Sequence, residues 1–265
     1  MAITIAELQK KKEAGEKLTM VTTYDATFAQ LVEAAGIDMI LIGDSLGNVM
    51  QGRGSTLGVT VDNMIYHAQC VLRGCSSPLV VVDMPFGSYQ VCDDDGVRNG
   101  IRILKESGGH AVKIEGGARV VNLVKRLVDA GVPVMGHLGL TPQSVNVLSG
   151  YHVQGKGEEA AETMYNDALA LQAAGAFSIV LECVPRSLAK RIQDALRIPV
   201  IGIGAGPDVA GQVLVIQDLL GMSYAKKSKF VRHYASLADV ITNALKDYAS
   251  CVKDGSFPSD QESFH

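Results

Sequence analysis

The chain predicts a single (β/α)8 TIM barrel, an α/β fold, and three observations carry that prediction. Short apolar runs alternate with stretches of helical periodicity from end to end. Several of these runs are continuously apolar, as parallel strands covered on both faces are. Four of them end in a carboxylate. Met39-Ile40-Leu41-Ile42 leads through Gly43 to Asp44 and Ser45, and Leu79-Val80-Val81-Val82 ends in Asp83. Val112-Lys113-Ile114 ends in Glu115, and Ile179-Val180-Leu181 ends in Glu182. Burying an acid is costly unless a cation or donors meet it. Four such endings therefore point to one site gathered at the carboxyl edge of a parallel sheet.

The elements follow in order. Ile5 to Glu13 reads as a short helix closing the barrel bottom, stopped by Gly15, and Leu18 to Asp25 as the first strand. Ala26 to Ala35 carries Phe28, Leu31 and Val32 at helical spacing before Gly36, and the strand ending at Asp44 comes next. Val49 to Gly58 is a polar, glycine-rich loop of the length often found at functional sites. A helix from Val61 to Arg73 and a strand from Leu79 to Pro85 follow. The helix from Asp93 to Lys105 opens on acids, which suit a helix N-terminus. Ala111 to Gly116 is the fourth strand, Arg119 to Ala130 its helix, and Pro133 to Leu138 the fifth strand.

A second long loop, Thr141 to Gly157, precedes a helix from Glu158 to Ala174. Phe177 to Val184 is the sixth strand, Ser187 to Leu196 a helix, Pro199 to Ile203 the seventh strand and Leu214 to Leu219 the eighth. Ala235 to Cys251 is a final amphipathic helix, and the tail from Lys253 to His265 is polar and expected to be loose. The 265 residues exceed the ~250 typical of one barrel and are also long enough for two small domains. No break in composition divides them, so residues 1–265 are expected to form a single domain. A doubly wound open sheet is the rival fold, and the spacing of the glycines does not separate the two.

Composition narrows the function. With 47% hydrophobic and 20% charged residues the chain reads as globular, and a net charge of -4 gives no basic footprint for nucleic acid or a membrane surface. Lys226, Lys227, Lys229 and Arg232 form one basic cluster, read as a solvated loop face. Five cysteines without a C-x-x-C pair argue against a disulfide framework or a structural zinc site, and fit a reduced cytoplasm. Met1 to Lys12 lacks the order of a secretion signal, and no apolar run approaches the ~20 residues that span a bilayer.

Lys113 and Glu115 lie two apart on a strand and share a face, so they serve either as a functional pair or as a self-neutralised one. Asp44, Asp83 and Glu115 are hard oxygen donors from three strands, a set that suits magnesium. Glu182, between apolar residues in Leu-Glu-Cys-Val-Pro, is placed to act as a general base, with a salt bridge to Arg186 as the alternative. His137 either bonds a substrate or is a core histidine donating to a carbonyl. Cys183, next to Glu182, is expected to face the core. Gly202-Ile203-Gly204-Ala205-Gly206 could hold a phosphate, let backbone approach another ligand, or simply form a tight turn.

Five stretches in order resemble the ketopantoate hydroxymethyltransferase (3-methyl-2-oxobutanoate hydroxymethyltransferase) family. They are Ile42 to Gly47, Val112 to Gly117, Gly136-His137-Leu138-Gly139-Leu140-Thr141-Pro142-Gln143, Leu181 to Pro185 and Ile201 to Gly206. The likeness runs nearly the whole chain, to Ser263-Phe264-His265. Gln217, Ser228 and Glu262 depart from the pattern, standing where histidine, proline and histidine are common, which bears on loop geometry and tail order.

The resemblance implies hydroxymethyl transfer from 5,10-methylenetetrahydrofolate to 3-methyl-2-oxobutanoate, giving ketopantoate in pantothenate biosynthesis. It maps Asp44, Asp83 and Glu115 onto a Mg2+ site, directly or through water. Asp44, Ser45, Asp83, Lys113 and His137 then serve the oxo acid, and Glu182 is the base that removes the C3 proton. It also implies a homo-oligomer, commonly a decamer. The runner-up is a magnesium-dependent lyase or mutase of the phosphoenolpyruvate mutase and isocitrate lyase type, whose lysine- and cysteine-bearing loop is not found in this sequence. A noncatalytic ligand-binding barrel is the third reading, opposed by the full set of acid and base candidates.

Overall fold

A computed structural model describes residues 3–224 and 227–265. The chain divides into two compact units, Met1–Val215 and Ile216–His265. The first opens with helix α1 (Ile5–Glu13) and strand β1 (Leu18–Thr22), then α2 (Ala26–Ala34), β2 (Met39–Ile42) and the single turn α3 (Leu46–Val49). It continues with α4 (Val61–Leu72), β3 (Leu79–Asp83), α5 (Asp93–Ser107), β4 (Ala111–Glu115), α6 (Val121–Asp129) and β5 (Val134–Gly139). Helix α7 (Glu158–Ala173), β6 (Ser178–Glu182), α8 (Arg186–Ala195), β7 (Val200–Ile203) and β8 (Gly211–Leu214) complete it.

The eight strands pair in parallel in chain order, and β8 returns to β1, with Leu18 opposite Gly211 and Met20 opposite Val213. The sheet is a closed (β/α)8 barrel, as the sequence predicts, and the open-sheet alternative falls away. One boundary differs in kind. The eighth strand is expected at Leu214 to Leu219 but lies at Gly211–Leu214, and Ile216–Leu219 is instead helix α9. Gly211 explains the misreading: a Cβ there would stand 2.5 Å from the Leu18 carbonyl, so close strand pairing selects a glycine where sequence patterns look for β-branched residues.

Local chemistry sets the helix ends. Asp25 accepts the Phe28 N–H at 2.9 Å at the head of α2, and Thr60 with Asn63 forms a capping box on α4. Asp93, Asp94 and Asp95 fill the first turn of α5, and Gly108 ends it in the left-handed conformation at φ 80°.

The barrel interior is layered. At the amino ends of the strands Leu18, Met39, Leu79, Ala111 and Phe177 pack around Leu8 of α1, which is fully buried. The N-terminal helix is therefore the floor of the barrel, as predicted. The second unit holds α9 and α10 (Leu237–Asp254). Its tail is not featureless: Glu262 accepts the Ser259 N–H at 2.8 Å in a capping box, so this departure from the family pattern supplies a cap. Ser228 accepts the Val231 N–H at 3.1 Å, and Gln217 lies within α9. Of the predicted basic cluster, Lys226 lies outside the described residues. Among the described residues no helix is long and apolar enough to cross a membrane.

Candidate active site

Strand periodicity builds the site. Leu79 and Val81 belong to the apolar interior, and Asp83 is the next residue on their face of β3. The same step carries Ala111 to Lys113 and Glu115 on β4, Met135 to His137 on β5, and Val180 to Glu182 on β6. The barrel is thus apolar below and ionisable at its carboxyl end. Strand register then sets neighbours: Asp83 is opposite Lys113, Glu115 opposite His137, and Gly139 opposite Glu182.

The resulting cluster is dense and dry. Lys113 Nζ lies 2.8 Å from Asp83 Oδ1 and 4.0 Å from Glu115 Oε1, with each of these side chains at most 4% exposed. His137 Nδ1 lies 3.3 Å from both Glu115 Oε1 and Lys113 Nζ, and His137 Nε2 lies 3.3 Å from Glu182 Oε2. Several of these are charge contacts rather than aligned hydrogen bonds, because Asp83 Oδ1, Glu115 Oε1 and His137 Nε2 have no hydrogen-bond partner. Lys113 and Glu115 therefore do not neutralise each other alone. The lysine is closest to Asp83.

Asp44 joins from the end of β2, where its backbone N–H donates to Asp83 Oδ2 at 2.9 Å. Ser45 pairs with the buried Tyr24, Oγ to hydroxyl, at 2.8 Å. Glu182 is the most open of the acids, its side chain 17% exposed. The Arg186 alternative fails, since that guanidinium pairs with Asp208. Cys183 is half-buried rather than core, and its φ of 49° turns the chain sharply after Glu182. The strand ends before the alternation that would send Cys183 inward.

Burial and mutual charge shift the groups. Burial, then the charges of Asp83 and Glu115, pushes Asp44 well above the usual carboxylate range. Asp83 is also raised by burial, with Lys113 opposing. Burial works the same way on Glu115, but His137 and Lys113 outweigh it and hold that acid below its ordinary value. For Lys113, burial is outweighed by Asp83, Glu115 and Asp44, so its ammonium is strengthened. Burial and Lys113 oppose a charged His137, yet Glu115 and Glu182 lift it to about 9.

Sequence reasoning gave no role to Gln143 or Tyr89. Gln143 is buried; its Nε2 donates to Asp44 Oδ2 at 3.0 Å and to the Met84 carbonyl at 2.9 Å, and its N–H donates to Glu115 Oε2 at 3.1 Å. Tyr89 donates to Gln143 Oε1 at 2.8 Å, and Gln90 Nε2 donates to the same oxygen at 3.1 Å. Both residues sit outside strands, where no periodicity marks an inward side chain. The only signal was Gln143's place in the Thr141-Pro142-Gln143 stretch.

The donors present fit a hard divalent cation. Three buried acids, two of them with unpaired oxygens, face one lysine and one histidine. Among the described residues no three His, Cys, Asp or Glu side chains form a ready-made cage. That pattern suits magnesium, which keeps several waters and takes only one or two carboxylates plus substrate oxygens. The glycine-rich turn after β7 shows different neighbours: a Cβ at Gly206, whose φ is 82°, would meet the Arg186 side chain at 2.8 Å.

Comparison with known proteins extends the picture. A family model described as ketopantoate hydroxymethyltransferase matches residues 2–260. A 3-methyl-2-oxobutanoate hydroxymethyltransferase of Heliobacterium modesticaldum is 55% identical over 262 residues, covering 99% of this chain and 95% of that one. The enzyme of the same name from Moorella thermoacetica is 52% identical, covering 99% and 97%. Among solved structures, a 2,3-dimethylmalate lyase of the PEP mutase/isocitrate lyase superfamily aligns with a TM-score of 0.60 at 17% identity, covering 100% of this chain and 92% of that one. A phosphonopyruvate hydrolase in complex with oxalate and Mg++ aligns with a TM-score of 0.62 at 13% identity, covering 98% and 93%. At these identities the structural likeness speaks for the fold alone.

Proposed function

The chain belongs to the ketopantoate hydroxymethyltransferase family, and on that premise we propose that its barrel mouth transfers a hydroxymethyl group from 5,10-methylenetetrahydrofolate to 3-methyl-2-oxobutanoate. The observation that carries the reading is the juxtaposition of Asp44, Asp83, Lys113, Glu115 and His137 beside a more open Glu182.

Asp44, Asp83 and Glu115 would hold magnesium, directly or through water. An ion held there would supply Lewis-acid charge that polarises a 2-oxo acid and makes the proton beside its carbonyl easier to remove. The protein's own groups do the rest. Lys113 and Ser45 bind and orient the oxo acid, the lysine by charge and the serine from a hydroxyl held by Tyr24. Glu182, the one acid of the cluster with appreciable solvent access, receives the C3 proton as the catalytic base. His137 orients the Glu182 carboxylate from one side and Glu115 from the other. Water opens the methylene bridge of the folate to a one-carbon aldehyde, both C–N bonds breaking and the two nitrogens taking its protons to leave as tetrahydrofolate. The carbanion forms its C–C bond to that carbon, and the resulting alkoxide takes back the proton held by Glu182.

The lyase or mutase alternative draws on shared fold alone. The five free cysteines fit a cytoplasmic setting. The assembly is a homo-oligomer, commonly a decamer in the family. Helix α10 exposes Val240, Ile241, Leu245 and Tyr248, apolar surface available to a neighbour. Sedimentation as a monomer at micromolar concentration would count against that assembly. The activity itself is tested by incubating the full chain with oxo acid and methylenetetrahydrofolate, with and without divalent metal. Ketopantoate should form only with metal; metal-independent formation, or none, rejects the reading.

A further inference from the structure

The three acids share a detail that their role as oxygen donors does not require. Each has one oxygen engaged by a nitrogen donor. Asp83 Oδ2 accepts the Asp44 N–H at 2.9 Å, Asp44 Oδ2 accepts from Gln143 Nε2 at 3.0 Å, and Glu115 Oε2 accepts the Gln143 N–H at 3.1 Å. The partner oxygens Asp83 Oδ1 and Glu115 Oε1 accept no aligned hydrogen bond and face the Lys113 ammonium at 2.8 Å and the His137 ring at 3.3 Å. Gln143 thus ties one oxygen on two of the three acids, with one residue reaching two strands.

Its orientation is fixed by chemistry. Nε2 faces two pure acceptors, Asp44 Oδ2 and the Met84 carbonyl, while Oε1 faces two donors, Tyr89 and Gln90. A flipped amide would set acceptor against acceptor at Asp44 and Met84 and donor against donor at Gln90, and only the Tyr89 hydroxyl could adapt. In a buried place that is costly, so the donor stays on Asp44.

Resting on the reading that Asp44, Asp83 and Glu115 serve a divalent cation, we propose that Gln143 tunes the metal selectivity of the site by holding one oxygen on each of Asp44 and Glu115. Magnesium is six-coordinate with near-ideal octahedral geometry and accepts single oxygens and waters. Calcium takes six to eight oxygens and often two from one carboxylate. An N–H on one oxygen of a carboxylate occupies one of its lone pairs and draws off its charge, so that oxygen is the weaker metal donor and the carboxylate is biased toward binding through the other. Gln143 therefore disfavours calcium at the site while costing magnesium nothing. It is a positioning residue that acts through Asp44 and Glu115.

The test is direct metal binding. Wild type, Gln143→Met and Tyr89→Phe, all as the full chain, are titrated calorimetrically with magnesium chloride and with calcium chloride. Circular dichroism reports folding. Methionine keeps the length and the backbone N–H on Glu115 but removes the side-chain donor to Asp44, and Tyr89→Phe keeps the amide but removes the hydroxyl that orients it. Wild type should prefer magnesium. A charge-assisted hydrogen bond is strong enough that Gln143→Met should lower the magnesium-over-calcium preference roughly tenfold. Tyr89→Phe should shift it the same way by less. An unchanged preference in folded Gln143→Met overturns the proposal while leaving magnesium binding intact; should that variant not fold, an unchanged preference in Tyr89→Phe overturns it. A wild type that binds neither ion overturns the metal reading itself.

Discussion

His137 stands 3.3 Å from Glu182 through Nε2, while its other ring nitrogen stands 3.3 Å from Glu115. One imidazole thus spans the base candidate of β6 and a metal-side acid of β4. Moving either acid moves the ring, and with it the other acid. The two halves of the proposed chemistry, charge stabilisation and proton removal, are held in register by a single side chain.

Glu182→Gln keeps size and polarity but cannot accept a proton as a carboxylate does. A positioned base contributes about 10²–10⁴-fold, so turnover should fall by that much while oxo-acid binding persists. Solvent exchange of the C3 proton, with metal and oxo acid but no folate, isolates the step. Exchange at the wild-type rate in the variant would move the base role to another group.

Asp44→Ala and Asp83→Ala should each abolish metal-dependent turnover with a native circular dichroism spectrum. Full wild-type activity in excess chelator would remove the metal from the reaction.

Lys113→Met leaves Asp83 buried and without its cation. Breaking a buried pair on one side costs about 3–5 kcal/mol, measurable by urea unfolding. Replacing both partners, Lys113→Met with Asp83→Leu, should recover much of that stability and none of the activity. A double variant no more stable than the single one would show that Asp44 and Glu115, not Asp83, carry the lysine's stabilising role.

Away from the site, Glu33 accepts the N–H groups of Ser76 and Ser77 at 2.8 and 2.6 Å. Those bonds, Ser76 first, hold its carboxyl down at about 2. In the unfolded chain a glutamate titrates near about 4.3. The folded value is the lower one, so the stabilisation is full above the unfolded value and is lost as pH falls toward 2. Glu33→Gln should therefore be less stable than wild type at pH 7, with the gap closing between about pH 4.5 and 2. Thermal melts across that range check it, and a gap independent of pH would rule the linkage out.

The sequence made the barrel legible because apolar runs and strand-end acids are local signals. Asp44, Asp83 and Glu115 could be grouped from their places at the ends of apolar runs and Lys113 from alternation with Glu115, and the strand register brings them together. What could not be read was anything set by packing between distant segments. Gln143 reaches Asp44 from 99 positions away, and no pattern in its own loop reports that. Cys183 was misjudged because alternation was carried one residue past the strand's end, where a left-handed turn intervenes. The eighth strand was displaced because Gly211 answers to the Leu18 carbonyl rather than to β propensity.

Leu8 in the barrel floor has a kinetic consequence. Among the described residues packed apolar side chains plug the amino end, so the ionisable layer is reached from the carboxyl end. A small molecule seated among Lys113, His137 and Glu182 must leave by the path it entered. Any larger co-substrate poised over the same opening blocks that path. On the proposed reaction, arrival and departure would then follow a queue, with the deep-bound molecule first in and its product last out.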